Sequence, residues 1–295
     1  MINIGQYIET VINWMMVHFS TFFDAINAGI GSFIIGFQHV LFGIPFYITI
    51  LVLAALAWMK AGRGTAIFTA LGLLLIYGMG FWEATMQTLA LVFSSTCLAL
   101  IVGVPLGVWT ANSPRAEKIL RPVLDLMQTM PAFVYLIPAV LFFGLGAVPG
   151  VFATIIFAMP PVVRLTGLGN RQVPKNVVEA SRSFGATRWQ LLYKVQLPLA
   201  LPTILTGVNQ TIMMSLSMVV IAAMIAAGGL GEIVLKGITQ MKIGLGFEGG
   251  IKLTVKRNIP CFTGIHIQSD FHFANDRDFS RKSFYRFLEF SHDFQ

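Results

Sequence analysis

Charge is what this sequence has least of. Only 11% of its 295 residues are Asp, Glu, Lys or Arg, against roughly a quarter in a soluble domain. So little charge cannot cover a water-facing globule, and 56% hydrophobic residues with a mean hydropathy of +0.75 exclude a disordered chain. Cysteine is nearly absent too. Cys97 and Cys261 cannot supply a disulfide framework, and Cys97, inside an apolar run, reads as a small buried thiol. No basic segment leading into an apolar run and a small-residue cleavage site opens the chain, so a cleaved signal peptide is not expected. The Gly-x-x-x-x-Gly-Lys-Ser/Thr loop that cradles nucleotide phosphates is missing. His18 and His39 lack Cys or carboxylate support, and the other three histidines lack metal-ligand spacing. No catalytic constellation is left, and a polytopic membrane protein is the class that remains.

What is present is a succession of apolar stretches. A spanning helix needs about 20 apolar residues. Six stretches qualify, at roughly 42–59, 65–82, 86–109, 122–144, 148–163 and 200–227. The expected fold is an all-α polytopic bundle of about six spans, with Pro160-Pro161 breaking the fifth. Residues 1–41 carry His18, Asp24 and His39 among aromatics and read as an N-terminal, extracytoplasmic amphipathic segment. Basic residues gather in 60–64, 112–121 and 164–198, which places these connections in the cytoplasm and the N-terminus outside. The net charge of +7 therefore reflects loop placement and does not point to nucleic acid. The same map makes 228–246 external although it carries Lys236 and Lys242.

The connection 164–198 is too long for a simple turn. Pro174 is suited to opening a helix, and 175–194 mixes Val177, Val178, Phe184, Trp189, Leu191 and Leu192 with Arg, Lys and Ser. Gly185 sits in the middle, where it would cost a continuous helix about 1 kcal/mol. A two-helix elbow bent at Gly185 satisfies both facts, with Pro198 and Pro202 setting the re-entry into the membrane. Such an elbow either lies on lipid or docks a soluble partner.

Spacing bears on that choice. Glu179-Ala180-Ser181, then Gly185, then Val195-Gln196-Leu197-Pro198 resembles the EAA loop of bacterial ABC-importer permeases. That pattern is Glu-Ala-Ala, three residues, Gly, nine residues, an aliphatic residue, any residue, Leu-Pro. Ser181 replaces the second Ala and Val195 an Ile. The segments 127–166 and 207–231 are similar to permeases for quaternary ammonium osmolytes (glycine betaine, proline betaine, choline or carnitine). The resemblance runs over about residues 40–250. It implies a type I importer permease of the bacterial inner membrane, working as a homodimer with cytoplasmic ABC ATPase subunits and an extracytoplasmic substrate-binding protein. Docking would fall on Glu179, Ala180, Ser181, Gly185, Ala186, Leu197 and Pro198. No cofactor is expected on this chain, since ATP would be used by the partner ATPase.

Other features have plainer readings. Asn209, Gln210, Thr211, Ser215 and Ser217 place polar groups within a span, as interhelical hydrogen bonds or as a translocation path. Gly103 and Gly107 flank Pro105 and predict close helix packing or a kink. Gly228-Gly229-Leu230-Gly231 reads as a span-terminating turn. Asp125 is expected to pair with Arg121 at i, i+4. Four tryptophans read as interfacial anchors in contact with membrane lipid, and Trp189 falls on the elbow. Selection of the quaternary ammonium group, which is bound by aromatic cages, is therefore expected on the binding protein.

The character of the chain changes near its end. Residues 1–250, the permease domain being 42–250, hold 13 Lys and Arg and 8 Asp and Glu, whereas 251–295 hold 7 and 5. From Lys252 the family pattern stops, and no stretch of 18 apolar residues follows. Residues 251–295 read as an atypical charged tail, either the product of a frameshift that replaced a final span or a lineage-specific extension. Two other functions remain open. A secondary transporter would need inverted repeats or buried ionisable groups, and a non-transporting scaffold would leave the loop pattern unexplained.

Overall fold

The computed structural model describes residues 14–241 together with 244 and 251. The first part of the N-terminal segment, Lys242, Cys261 and the tail 252–295 lie outside the described residues, so the reading of the tail is not addressed by it. Among the described residues every regular element is a helix. We label them α1 (Ser20–Gly43), α2 (Phe46–Ala61), α3 (Arg63–Gly78), α4 (Trp82–Asn112), α5 (Pro114–Thr129), α6 (Ala132–Phe143), α7 (Ala147–Arg171), α8 (Lys175–Ser183), α9 (Arg188–Ile225) and α10 (Leu230–Thr239). Of these, α1, α4, α7 and α9 are long and apolar enough to cross a membrane.

Three expectations about the spans change. The first concerns 1–41, expected as an interfacial segment: from Ser20 it forms the 24-residue α1, which passes the length and composition test for a span. Its contacts nonetheless sit at one end of the bundle. Phe23 stacks on Phe142, Ile34 packs with Leu91 and Val151, and Phe37 stacks on Phe93. The second concerns 122–144, which is not one rod. Pro131 lacks an N–H and holds Met130 extended (ψ 138°), so α5 and α6 meet at 98°. Tyr135 repairs the break by donating its hydroxyl to the carbonyl oxygens of Met127 (2.9 Å) and Leu126 (3.3 Å).

The third concerns Pro160-Pro161, which does not end its helix. α7 runs on to Arg171. Both prolines are buried between neighbours that hold the segment helical, as happens where packed helices surround a proline in a membrane protein. The neighbours are α4 and α9, and glycines let them come close. A Cβ on Gly103 would lie 2.5 Å from Val162 Cγ1, and one on Gly107 would lie 2.8 Å from the Val163 carbonyl oxygen and 2.5 Å from Thr166 Cβ. On the other side, a Cβ on Gly169 would meet the Ala200 carbonyl oxygen at 3.1 Å, and one on Gly207 the Val162 Cα at 3.2 Å. Backbone therefore packs on backbone along both faces of α7, as small residues permit. The expected close approach at Gly103 and Gly107 is present, and α4 stays helical through Pro105.

α2 and α3 form a tight hairpin turned at Gly62 (φ +88°). Ile50, Leu73 and Ile76 pack it on Leu89 and Val92 of α4 and on Leu216 and Val219 of α9. All four partners lie toward the same end as the α6–α7 turn, so the other half of the hairpin stands clear of the bundle.

Gly107→Ala should destabilise the chain by about 1–3 kcal/mol, because its new methyl meets backbone as well as a side chain. Thermal unfolding in detergent should show a lower midpoint for Gly107→Ala and no loss for Gly36→Ala, whose Cβ meets nothing within 4 Å. Equal midpoints would contradict the packing account.

Candidate functional site

The elbow is built from two capping devices placed back to back. Pro174 is extended (ψ 131°), and its carbonyl accepts from the amides of Val177 and Val178, starting α8. α8 ends when Gly185 turns left-handed (φ +80°). The Gly185 amide then donates to Arg182 O (2.9 Å) and the Ala186 amide to Ser181 O (3.1 Å), the paired bonds of a Schellman ending. The next residue, Thr187, opens the following helix. Its Oγ1 accepts from Gln190 N (3.4 Å) while Gln190 Oε1 accepts from Thr187 N (2.8 Å), a complete capping box. The expected two-helix elbow with Gly185 at the bend is thus present.

The second arm is not a separate helix. It is the first part of α9, which continues for 38 residues to Ile225. Leu191–Gln196 is a π segment in which the Leu197 amide reaches back to Leu192 O. This widening precedes Pro198, whose ring would clash with the carbonyl four residues earlier in a regular α-helix. Pro198 and Pro202 therefore leave the helix intact, and the elbow is joined to the apolar shaft without a loop.

The elbow presents large apolar side chains outward. Phe184, Trp189 and Tyr193 are 70%, 69% and 63% exposed. Trp189 and Tyr193 stack at 5.8 Å between Arg188 and Lys194 in the chain. Glu179, Gly185 and Pro198 are exposed, and Ala180, Ala186 and Leu197 half-buried. Ser181 is buried, its hydroxyl donating to Val177 O (2.8 Å), so it faces the protein and supports the elbow from within.

α5 is pinned against the same end of α7 by two ion pairs, Asp125 with Arg164 and Glu117 with Arg171. Asp125 therefore does not take Arg121 as its partner. The bend at Pro131 turns α5 alongside α7 and sets carboxylates two turns apart opposite guanidiniums two turns apart. The Arg171 hydrogen bond is the main cause that holds the Glu117 carboxyl below its ordinary range; burial opposes it, and the charges of Arg171 and then Arg121 add to the lowering.

The polar residues of α9 divide between two faces. Thr211 and Ser215 are buried, and Ser215 Oγ accepts from Thr96 Oγ1 of α4 (3.4 Å). Asn209 is half-buried, and its Oδ1 and Thr211 Oγ1 have no hydrogen-bond partner. Gln210 and Ser217 are exposed, in one stripe with Thr206, Met213 and Met224. The five residues therefore share a helix but not a surface.

At the far end of α9 the Gly228–Gly231 turn is clasped by α4. Gly229 N donates to Gln87 Oε1 (3.1 Å) and Leu230 N to Thr88 Oγ1 (2.8 Å). The Gly146 amide, in the α6–α7 turn, donates to Ile225 O (2.9 Å). Gly228 and Gly229 are left-handed (both φ +81°), and a Cβ on Gly229 would lie 2.5 Å from Thr88 Oγ1. The turn itself is legible in the sequence. Its partners are not, because the bonding residues are 142 positions apart.

Thr88→Val should leave the buried Leu230 amide unpaired, at about 1–3 kcal/mol. Hydrogen exchange at 228–231 should speed up for Thr88→Val and stay slow for Thr88→Ser. Unchanged exchange in both variants would mean the clasp does not hold the turn.

The sequence matches the family model described as the binding-protein-dependent transport system inner membrane component over residues 103–256, which include the whole elbow. It is 50% identical over 255 residues, 86% of this chain and 72% of the relative, to the glycine betaine/proline betaine transport system permease protein ProW of Escherichia coli (strain K12). It is 49% identical over 254 residues, 86% of this chain and 90% of the relative, to the glycine betaine transport system permease protein OpuAB of Bacillus subtilis (strain 168). Among solved structures, a chain of the inward-facing MetNI methionine ABC transporter superposes at a TM-score of 0.49 with 21% identity, covering 62% of this chain and 96% of its own length. With half its residues shared with such permeases over most of its length, and with the family model spanning the elbow and the helix behind it, this chain belongs to the family of inner-membrane components of binding-protein-dependent transport systems.

Proposed function

We propose that the chain is the permease subunit of an ATP-driven importer for glycine betaine or a related quaternary ammonium solute in a bacterial inner membrane. The solute class rests on the two relatives named for glycine betaine transport, each about half identical to this chain over 86% of its length. The coupling role rests on one observation, the elbow fused to α9. A groove on a cytoplasmic ATPase subunit would receive α8 and the Gly185 turn, with Glu179 and Ala180 at the contact and Phe184 and Trp189 as apolar knobs. Ala186 allows close approach, while Leu197 and Pro198 carry displacement into the shaft. Two copies, each with its own ATPase subunit, would then rock between inward- and outward-facing states as ATP draws the ATPases together. Gln210 and Ser217, exposed on α9, would face the path between copies, while Thr211 and Ser215 are buried in the chain's own bundle, where Ser215 bonds to Thr96 of α4. Choice of solute would lie with the extracytoplasmic binding protein.

An ion-coupled transporter is the second reading. It is disfavoured because α4 beyond Glu83, all of α6 and the apolar length of α9 from Leu197 onward contain no Asp, Glu, Lys, Arg or His.

Gly185→Val tests the coupling role. A Cβ there meets nothing within 4 Å, so the variant acts through the left-handed backbone alone, at about 1–2 kcal/mol. ATPase co-purification and ATP-dependent glycine betaine uptake in proteoliposomes should both fall about tenfold, with the melting midpoint lowered by no more than a few degrees. Undiminished co-purification would remove the elbow from docking, and uptake driven by an ion gradient without ATP would favour the second reading.

A further inference from the structure

The α2–α3 hairpin differs from the rest of the bundle in what it shows outward and in how long it is. Two of its small residues, Ala57 and Ala66, are buried, and Gly62 makes the turn. Two of its threonine hydroxyls are withdrawn as well, with Thr49 buried and bonded to Pro45 O and Thr69 fully buried. The exposed surface is bulky and apolar, carried by Leu51, Leu56, Met59, Ile67, Leu71 and Leu74. Helices that pack on other helices within a membrane present small and polar side chains, as the exposed Thr206–Ser217 stripe of α9 does. Apart from Ala55, Gly64 and Gly78, the surface the hairpin shows outward along its length is dominated by bulky apolar side chains, which favours hydrocarbon as its neighbour.

Each end of the hairpin carries interfacial anchors. At the open end Phe46 stacks on Tyr77 (3.9 Å), with Trp82 against both and Tyr47 exposed beside them. At the turn Arg63 lies over the Trp58 ring, 5.9 Å from its centroid. Both helices have 16 residues, and at 1.5 Å each that is about 24 Å. The hydrocarbon core of an ordinary bilayer is about 30 Å thick. A stretch that short is accommodated by thinning the bilayer or by snorkelling of flanking residues, and Arg63, held over the Trp58 ring, has less reach to snorkel.

We propose that the α2–α3 hairpin is a lipid-facing arm matched to a thin hydrocarbon layer, so that the permease thins the bilayer around it and works best among short acyl chains. The proposal rests on the chain being a membrane component and is independent of the solute and of ATPase docking.

The complete complex should be reconstituted in phosphatidylcholine with myristoleoyl, oleoyl or erucoyl chains. A nitroxide on Met59→Cys, in a chain with Cys97 and Cys261 replaced by alanine, reports depth and neighbours without requiring transport. The label should be open to oxygen in all three lipids, near the headgroups in myristoleoyl chains and about 5 Å deeper in erucoyl chains. Uptake should be about fivefold faster in the shortest lipid than in the longest. Adding one helical turn to each of α2 and α3 should move that optimum toward longer chains. Shielding of the label from oxygen would mean that a protein surface covers the arm, and a depth independent of chain length would mean no mismatch. Either result overturns the proposal, as does an uptake optimum in the lengthened variant that stays where it was.

Discussion

Direct packing of α7 backbone against α4 and α9 is the constraint on which the rest of the molecule depends. Gly103 and Gly107 on one side, and Gly169 and Gly207 on the other, carry no side chain of their own at the contacts, so the helices approach closely. Close packing of this kind has few alternative arrangements. It holds Pro160 and Pro161 in helical geometry that the pair would not keep alone. It also fixes α9 over its apolar length, so the two ends of that helix are placed relative to each other. One end is the Gly185 elbow and the other is the turn clasped by Gln87 and Thr88.

The elbow extends that rigidity outward. A Schellman ending and a capping box share the short stretch from Ser181 to Gln190, so the turn uses its backbone groups locally and needs no support from a partner. The π segment lets α9 pass Pro198 without a break. α5, paired through Glu117 and Asp125 to Arg171 and Arg164, braces the neighbouring end of α7. A push on the elbow therefore meets a helix and a packed bundle where a flexible connection would have absorbed it.

Much of this was legible in the sequence because it is local. Apolar length marked α4, α7 and α9 but not α1, Gly185 marked the bend, and the spacing from Glu179 to Pro198 marked the elbow. The Thr187 and Gln190 box is equally local, and a four-residue pattern would have found it. Elsewhere local rules were overridden by contacts between distant segments. The apolar run 122–144 passed over Pro131, which ends α5, whereas Pro160-Pro161, expected to break the fifth span, stays helical because neighbours press on both sides. Asp125 had Arg121 one turn away and took Arg164, because the bend brought α5 against α7. Polarity in α9 was plain from composition, yet its division between a buried face and an exposed stripe depends on where α4 lies.

The central claim is that the elbow and the far turn move as one body with α9. It is tested by electron–electron distance measurements on spin labels at Arg188→Cys and Ala226→Cys in the proposed complex, with Cys97 and Cys261 replaced by alanine. The account predicts the same distance within each chain in the nucleotide-free and ATP-bound states, while the distance between the elbows of the two copies shortens. A change in the Arg188–Ala226 distance on ATP binding would show that α9 bends at its π segment, and would contradict rigid transmission.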